Sequence, residues 1–290
     1  MSDKKKILIQ LDTDNQASVF DRVVAVDAGT EFLFTHAGVT PVQVQALVHG
    51  AIFTRGPKDL MSTAVFVGGS DVSAGEAILA EVRKSLIPQY GLSVSVMLDS
   101  NGSNTTAAAA VRAAAKHMDL SKSKALVLGG TGPVGQRVAR LLARQGAHVR
   151  IGSRGLDRAQ AVCATIKARH ANAQVEAIAT GSSTDGPKAL EGRDLVIAAG
   201  AAGAVLLPAK LRAQAKALRV AIDLNAVPPV GIEGVELGDK GVTKDGVICY
   251  GALGVGGTKM RIHKAAIAKL FQRNDLVLDA EEIYDLGEGL

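Results

Sequence analysis

The sequence predicts an α/β fold in two domains, a parallel α/β domain followed by a doubly wound one. Three observations carry this prediction. Short apolar runs alternate with helix-period segments along the chain, the pattern that parallel sheets with crossover helices leave in a sequence. A glycine-rich turn, Gly129 to Gly135, joins an apolar run to a helical one. The chain has 290 residues, which suits two domains at about 150 residues each.

The elements follow in order. Lys6–Leu11, Glu31–Phe34, Ala64–Val67 and Ser93–Leu98 read as strands. Ser18–Val26, Pro41–His49 and Asp71–Leu86 read as the helices between them, with Thr40-Pro41 as a helix start. An Ala-rich helix covers Thr105 to His117, and the short polar segment Asp119–Lys124 marks the expected junction. The second series is strand Ala125–Leu128, helix Pro133–Gln145, strand His148–Ile151 and helix Leu156–Arg169. Strands at Val175–Ile178, Leu195–Ala198 and Val220–Asp223 complete it, a doubly wound pattern. Helices at Lys259–Phe271 and Ala280–Leu286 close the chain. The expected domains are residues 1–120, joined by residues 258–290 returning to them, and residues 121–257.

Composition narrows the function. Apolar residues make up 47% of the chain and aromatics 3%, with no Trp, so small aliphatic residues fill the cores. The net charge is +5. Basic residues run no longer than Lys4–Lys6 and are not interleaved with aromatics, which argues against nucleic acid. The surface charge suits a phosphorylated cofactor and an acidic ligand instead. Cys163 and Cys249 form no metal-ligand pattern and sit in apolar stretches, as free thiols in a reducing compartment do. The apolar run before Asp12 is too short for a signal peptide. Leu195–Leu207 is too short for a membrane span and contains Gly200 and Gly203. The expectation is a cytoplasmic protein with no membrane or metal partner.

The strongest local signal is Gly130-Thr131-Gly132-Pro133-Val134-Gly135, a GxGxxG motif between strand and helix. In a Rossmann-type domain the first glycine permits the tight turn, the second lets the backbone approach a pyrophosphate, and the third lets helix and strand pack closely. The helix N-terminus offers amides and partial positive charge to the anion. The second strand of the domain ends Arg150-Ile-Gly-Ser-Arg154, with no carboxylate at its tip to bond a ribose 2′-hydroxyl. Ser153 can donate a hydrogen bond there, Arg154 can pair with a 2′-phosphate, and Arg158 follows one turn later. NADP is therefore the expected cofactor, with NAD a weaker one. Ala199 and Gly200, after the strand at 195–198, leave room for a nucleoside. Asn225, after Asp223, is either a cofactor contact or a turn residue.

Two turns of the first domain are unusually polar. Asp12-Thr-Asp-Asn-Gln16, followed by Ser18, ends the first strand, and Asp99-Ser-Asn-Gly-Ser-Asn-Thr105 ends the fourth. Capping a helix needs one such residue, so this density suggests a binding edge.

The chain resembles the methylene-tetrahydromethanopterin and methylene-tetrahydrofolate dehydrogenases of methylotrophic bacteria. The resemblance rests on D-T-D with S-V-F-D (Asp12–Asp14, Ser18–Asp21), I-F-T-R-G (Ile52–Gly56), F-V-G-G (Phe66–Gly69) and M-L-D-S-N-G-S-N-T-T-A (Met97–Ala107). Further matches are G-T-G-P-V-G (Gly130–Gly135), the run from Asn225 to Gly234, G-A-L-G-V-G-G-x-K (Gly251–Lys259), I-A-K-L-F (Ile267–Phe271) and D-A-E-E-I-Y (Asp279–Tyr284). It implies oxidation of a pterin-borne methylene group to the methenyl cation, with the hydride passing to the nicotinamide. No proton leaves carbon, so catalysis rests on positioning and charge matching rather than a strong base. The resemblance also implies an active-site lysine, Lys259, reached through a flexible small-residue approach at Gly251–Gly257. His263 follows on the same helical face. Asp14, Ser18, Asp99, Asn101, Asn104, Thr105 and His263 are the candidate pterin contacts, and a homo-oligomer, trimer-based, is implied. Departures from the family pattern fall at Gly155–Arg158 and Thr180–Glu191, the latter an expected surface helix.

Three rivals remain. A bifunctional dehydrogenase–cyclohydrolase must activate water with a lysine near Tyr or Gln, and residues 50–60 offer only Arg55 and Lys58. A shikimate-type dehydrogenase needs a Lys–Asp pair that the polar turns do not resemble. A non-catalytic NADP-binding regulator has no need of the second polar edge.

Overall fold

The computed structural model describes residues 4–182 and 184–290. The chain begins β1 (Ile7–Asp12), α1 (Val19–Asp27), β2 (Phe32–His36), α2 (Pro41–Ile52), β3 (Thr63–Gly68), α3 (Val72–Ser85), β4 (Ser95–Leu98), α4 (Ser103–Ala115). It continues with β5 (Lys124–Leu128), α5 (Pro133–Arg144), β6 (His148–Ser153), α6 (Leu156–Arg169), β7 (Val175–Ala179), α7 (Asp185–Leu190), β8 (Leu195–Ala198), α8 (Ala209–Gln214), β9 (Val220–Asp223). Last come β10 (Lys240–Lys244), β11 (Val247–Tyr250), α9 (Ala252–Leu270), β12 (Val277–Leu278) and α10 (Ala280–Leu286). Contacts group residues up to Thr105 with those from Met260 onward, and group Thr106–Lys259 separately. The divisions fall inside α4 and α9. The polar segment where the sequence suggests a junction holds a 3-10 turn, Leu120–Lys122, ahead of β5.

In the first unit the sheet order is β12-β4-β3-β1-β2, parallel throughout. A parallel sheet must be covered on both faces. Ile9, Leu11, Val65, Val67, Val96 and Leu98 point to one face and pack on Val44, Val48 and Ile52 of α2 and Ile78 and Val82 of α3. Each such side chain, fully buried, contributes about 1.5–3 kcal/mol of transfer free energy. Gln10 and Phe66 are in register on the opposite face, where Phe66 stacks on His263 of α9. Pro41 starts α2, and the Gln43 side chain reaches back to accept the Thr40 N–H at 2.8 Å.

In the second unit the order is β10-β11-β9-β8-β5-β6-β7. All pairings are parallel except β10 with β11. Chain order reverses at β5, which lies between β8 and β6, and that is where doubly wound sheets bind ligands. Sequence periodicity missed the β10–β11 hairpin because Lys240–Lys244 is largely polar. Its turn was nevertheless signalled by Asp245-Gly246, both with positive φ (53° and 79°), as a two-residue hairpin turn requires. Among the described residues no helix is long and apolar enough to cross a membrane, and no group of three or more His, Cys, Asp or Glu could hold a metal.

Candidate active site

The glycine turn after β5 is built by backbone contacts that leave no room for side chains. The tight-turn position is Gly129, at φ 67°, rather than Gly130 as the motif alone suggests. A Cβ on Gly129 would lie 2.5 Å from Gly200 Cα, so the β5 and β8 loops touch backbone to backbone. Gly130 donates its N–H to Gly152 O at 2.9 Å, and a Cβ there would meet Ile151 at 2.7 Å. Gly135 must be glycine because a Cβ would lie 2.3 Å from Gly129 O. Gly132, the residue preceding α5, is the open one: its nearest neighbours would be Gly129 O at 3.4 Å and Ala199 O at 3.6 Å. Pro133 occupies the first helical position, where its missing N–H costs nothing. The amides of Val134 and Gly135 precede any acceptor within the helix. This bare cradle, with amides and a helix dipole behind it, fits a pyrophosphate. Thr131 sits on its side, with Oγ1 3.4 Å from Ser153 Oγ.

At the tip of β6, Ser153 is buried and its hydroxyl accepts the Gly155 N–H at 3.3 Å. It shapes the loop rather than reaching outward. Arg154 and Arg158 are exposed beside it, and Arg158 Nε lies against Gly155. Those two guanidiniums are the groups able to receive a 2′-phosphate. Ala199 and Gly200 are half-buried at the end of β8, where Ala199 N–H bonds Leu128 O at 2.9 Å and Leu206 packs over Gly200.

Asn225 closes its own turn. Its Nδ2 donates to Pro229 O at 2.8 Å and its Oδ1 accepts Val227 N–H at 3.0 Å, around the cis Pro228–Pro229 bond. Asp223 anchors the same turn, accepting the N–H groups of Asn225 at 3.0 Å and Ile232 at 2.9 Å. Burial pushes the Asp223 carboxyl up, against these backbone hydrogen bonds.

In the first unit, three turns at the carboxyl ends of β1, β3 and β4 are tied together. Buried Asp12, which the sequence reading did not single out, organises the first: its carboxylate accepts the N–H groups of Asp14 and Ser18, both at 3.0 Å, and Gln10 Nε2 at 3.1 Å. Ser18 in turn caps α1, its hydroxyl accepting Asp21 N–H at 3.2 Å. Asp14 accepts from Ser70 N–H and from the Ser70 hydroxyl at 2.8 Å. A Cβ on Gly69 would fall 1.9 Å from Thr13 Oγ1, so F-V-G-G ends in glycines to let the two turns meet. Asn101, at φ 55°, donates its N–H to Gly69 O at 2.7 Å and is exposed.

Three of the predicted contacts form the inner wall of this edge. Asp99 is 1% exposed and accepts Asn104 N–H at 2.9 Å, Thr105 N–H at 3.0 Å and the Thr105 hydroxyl at 2.7 Å. Asn104 Nδ2 donates to Leu98 O at 2.6 Å and to Asp279 Oδ1 at 3.0 Å, which ties β4 to the start of α10. His263 is also fully buried, 5.8 Å from the Phe66 ring at 20° and with Nδ1 3.9 Å from Asp99 Oδ2.

Lys259 lies one turn before His263, half-buried, in the interior of α9. This corrects the expected flexible approach: Gly251 directly precedes the helix, and the rest of that segment is already helical. Gly251 and Gly254 serve packing, since a Cβ on the first would lie 1.9 Å from Glu236 O and one on the second 1.8 Å from Asp239 O, whereas Gly256 and Gly257 face open space.

These features define a two-unit α/β protein of the Rossmann dehydrogenase class, with a glycine cradle at a helix N-terminus in one unit and a set of linked polar turns in the other. Residues 19–101 match the model of the methylene-tetrahydromethanopterin dehydrogenase N-terminal domain, and residues 112–237 match that of shikimate/quinate 5-dehydrogenases. The bifunctional protein MdtA of Methylorubrum extorquens is 45% identical over 98% of both chains. The NAD(P)-dependent methylenetetrahydromethanopterin dehydrogenase of the same organism is 31% identical over 97% of both. The chain belongs to the methylene-tetrahydromethanopterin dehydrogenase family. Its fold is shared by the Listeria monocytogenes shikimate 5-dehydrogenase bound to shikimate and NAD, with TM-score 0.58, 14% identity and coverage of 99% of this chain and 97% of that one. Quinate dehydrogenase from Corynebacterium glutamicum in complex with NAD gives TM-score 0.51 at 13% identity, covering 99% of both.

Proposed function

We propose that this chain is an NADP-dependent dehydrogenase of one-carbon metabolism. It oxidises methylene-tetrahydromethanopterin to the methenyl form by direct hydride transfer, and accepts methylene-tetrahydrofolate as a second carrier. The observation that carries the cofactor half is the bare Gly132 cradle at the α5 N-terminus beside exposed Arg154 and Arg158. The dinucleotide would rest on the amides of α5, with its 2′-phosphate on the two arginines and its nucleoside against Ala199 and Gly200. Bound there, its nicotinamide supplies the hydride acceptor.

The chain's own work is positioning. The C–H bond of the methylene carbon breaks, its electron pair leaves with the hydride, and the neighbouring pterin nitrogens take up the positive charge. No proton is transferred, in keeping with a polar edge built for hydrogen bonding. Asp14, Ser18 and Asn101 are the outward-facing pterin contacts, while Asp99, Asn104 and Thr105 hold their loop in shape. Lys259 hydrogen-bonds the pterin. Its replacement in K259M is expected to lower kcat about 10²-fold with NADPH affinity unchanged.

The relative's name records two functions, so methenyl hydrolysis is tested alongside. Arg55 offers little for that reaction: its Nη1 is engaged by Ser62 O at 2.9 Å and Thr63 Oγ1 at 3.1 Å. The deciding assay supplies methylene-tetrahydromethanopterin or methylene-tetrahydrofolate with NADP or NAD. Methenyl product and NADPH appearing together support the proposal. NADP binding without turnover on either carrier overturns it and leaves the binding-regulator reading.

A further inference from the structure

The first turn of α1 carries an aromatic ring that the fold supports from below and leaves open above. Phe20 lies four residues before Val24, on the same helical face, the face that α1 buries. Val24 is 2% exposed, yet Phe20 is 49% exposed. Position along the helix accounts for the difference. α1 starts directly after the polar turn that ends β1, with Ser18 as its cap. Its first turn therefore stands at the carboxyl end of the sheet, beside Asp14 and Ser18, and its second lies over the strands.

Beneath Phe20 the rings are stacked. Its centroid is 6.3 Å from that of His263, with the planes at 38°. His263 in turn lies 5.8 Å from Phe66 of β3, at 20°. Both spacings fall in the range of interacting aromatic pairs, about 4.5–7 Å. His263 and Phe66 are buried, and Asp99 Oδ2 stands 3.9 Å from His263 Nδ1. A column of three rings thus runs from the core to the surface, in a chain whose aromatics are only 3% of its residues. A phenyl ring already braced by the ring below loses little further freedom when a ligand meets its open face.

We infer that Phe20 is the stacking platform for the pterin ring of the substrate, and that His263 is the positioning residue that braces it. This rests on the pterin reading above. A flat heterocycle offers a π face to an aromatic side chain and polar atoms at its rim for the neighbouring turns. A purely apolar ligand fits poorly here, because it would desolvate the polar groups of the Asp12–Ser18 turn without bonding them. His263, with no accessible surface of its own, acts on the pterin through Phe20.

The test is equilibrium titration of methylene-tetrahydromethanopterin and of methylene-tetrahydrofolate into the wild type, F20Y, F20L and F20A. NADPH is present throughout, so that no hydride acceptor allows turnover. Phe20 is half-exposed, and its variants should fold. F20Y keeps the ring and should bind as the wild type does. F20A should bind about 5–100-fold more weakly, as when a stacked base loses its aromatic partner, and F20L should fall between. Both carriers should weaken alike, since they share the pterin ring, and NADPH affinity should hold. For His263, H263L should weaken pterin binding in the wild type and add nothing in F20A; additive losses overturn its positioning role. Unchanged pterin affinity in F20A, a loss confined to one carrier, or an equal loss for NADPH overturns the platform and leaves the proposed reaction standing. Pterin binding by a wild type that turns over neither carrier with NADP or NAD sinks the reaction, and the same titrations still decide the platform. A wild type that binds neither carrier overturns both.

Discussion

Removing one arginine should separate the two nicotinamide cofactors. Arg154 follows the last residue of β6 with its side chain in solvent, and Arg158 lies one turn further on. NADP differs from NAD by a 2′-phosphate carrying about −1.5 to −2 charges near neutral pH. A hydrogen bond between a guanidinium and such a group is worth about 1.5–3 kcal/mol. Exposure places Arg154 at the lower end, because water and salt screen a solvated pair. R154A is therefore expected to cost about 1.5–2 kcal/mol in NADPH binding, or ~10–30-fold at 1.4 kcal/mol per decade. NADH affinity should not move, since the proposed site holds the shared pyrophosphate on the α5 amides instead. The assay is fluorescence titration of both reduced dinucleotides at low and high salt. Wild-type NADPH affinity should fall with salt, and the R154A/R158A double variant should flatten that dependence. Equal weakening of NADPH and NADH, or no change in either, would refute the placement of the 2′-phosphate.

Three further outcomes follow from the geometry. G135A would drive a methyl group into Gly129 O, and overpacking of this kind costs about 1–3 kcal/mol; a lower Tm and weaker binding of both dinucleotides are expected by calorimetry. D99A strands two buried N–H groups, those of Asn104 and Thr105, at about 1–3 kcal/mol each, so its urea midpoint should fall by the equivalent of about 2–5 kcal/mol. Asp223 bears on pH. Its folded carboxyl is raised by burial, so the native state keeps a proton that the unfolded chain has lost. This group's contribution is therefore full below the unfolded value and declines as pH climbs from about 4 through the raised value. Stability of D223N should decline less over that window, and an unchanged slope would show that Asp223 does not carry the effect.

The sequence and the structure agree most closely where a signal is local. Apolar period, the strand–glycine–helix motif and Thr40-Pro41 each describe a few consecutive residues, and the elements they predict are present. The differences arise where long-range contact decides. Gly251–Gly257 reads as flexible because glycine favours loops, yet Gly251 and Gly254 let α9 begin against the carbonyls of Glu236 and Asp239. Gly129 and Gly130 are indistinguishable in the sequence, and only the approach of Gly200 assigns the positive φ. Asn104 and Thr105 stand out by polarity, and the structure shows both buried and hydrogen-bonded to Asp99, which their polarity alone does not reveal. The polar turns themselves were legible from their density of polar residues, whereas which of those residues are buried in hydrogen bonds and which are exposed was not. The polarity of β10 hid a strand that its Asp-Gly turn announced.

The close approach of Gly129, Gly130, Gly135 and Gly200 also bears on how such a chain can change over time. A side chain on Gly129 would meet the backbone of Gly200 and one on Gly135 the backbone of Gly129, while one on Gly130 or Gly200 would first meet the side chain of Ile151 or Leu206. Substitutions there should be strongly non-additive, with no accessible series of single steps leading away from the arrangement. The polar edge of the first unit is held largely by side chains and can be revised one residue at a time. A lineage built this way would keep its nucleotide half while its substrate half diverges. The match of residues 112–237 to the model of enzymes acting on quite different substrates, beside residues 19–101 with a model of their own, has that form.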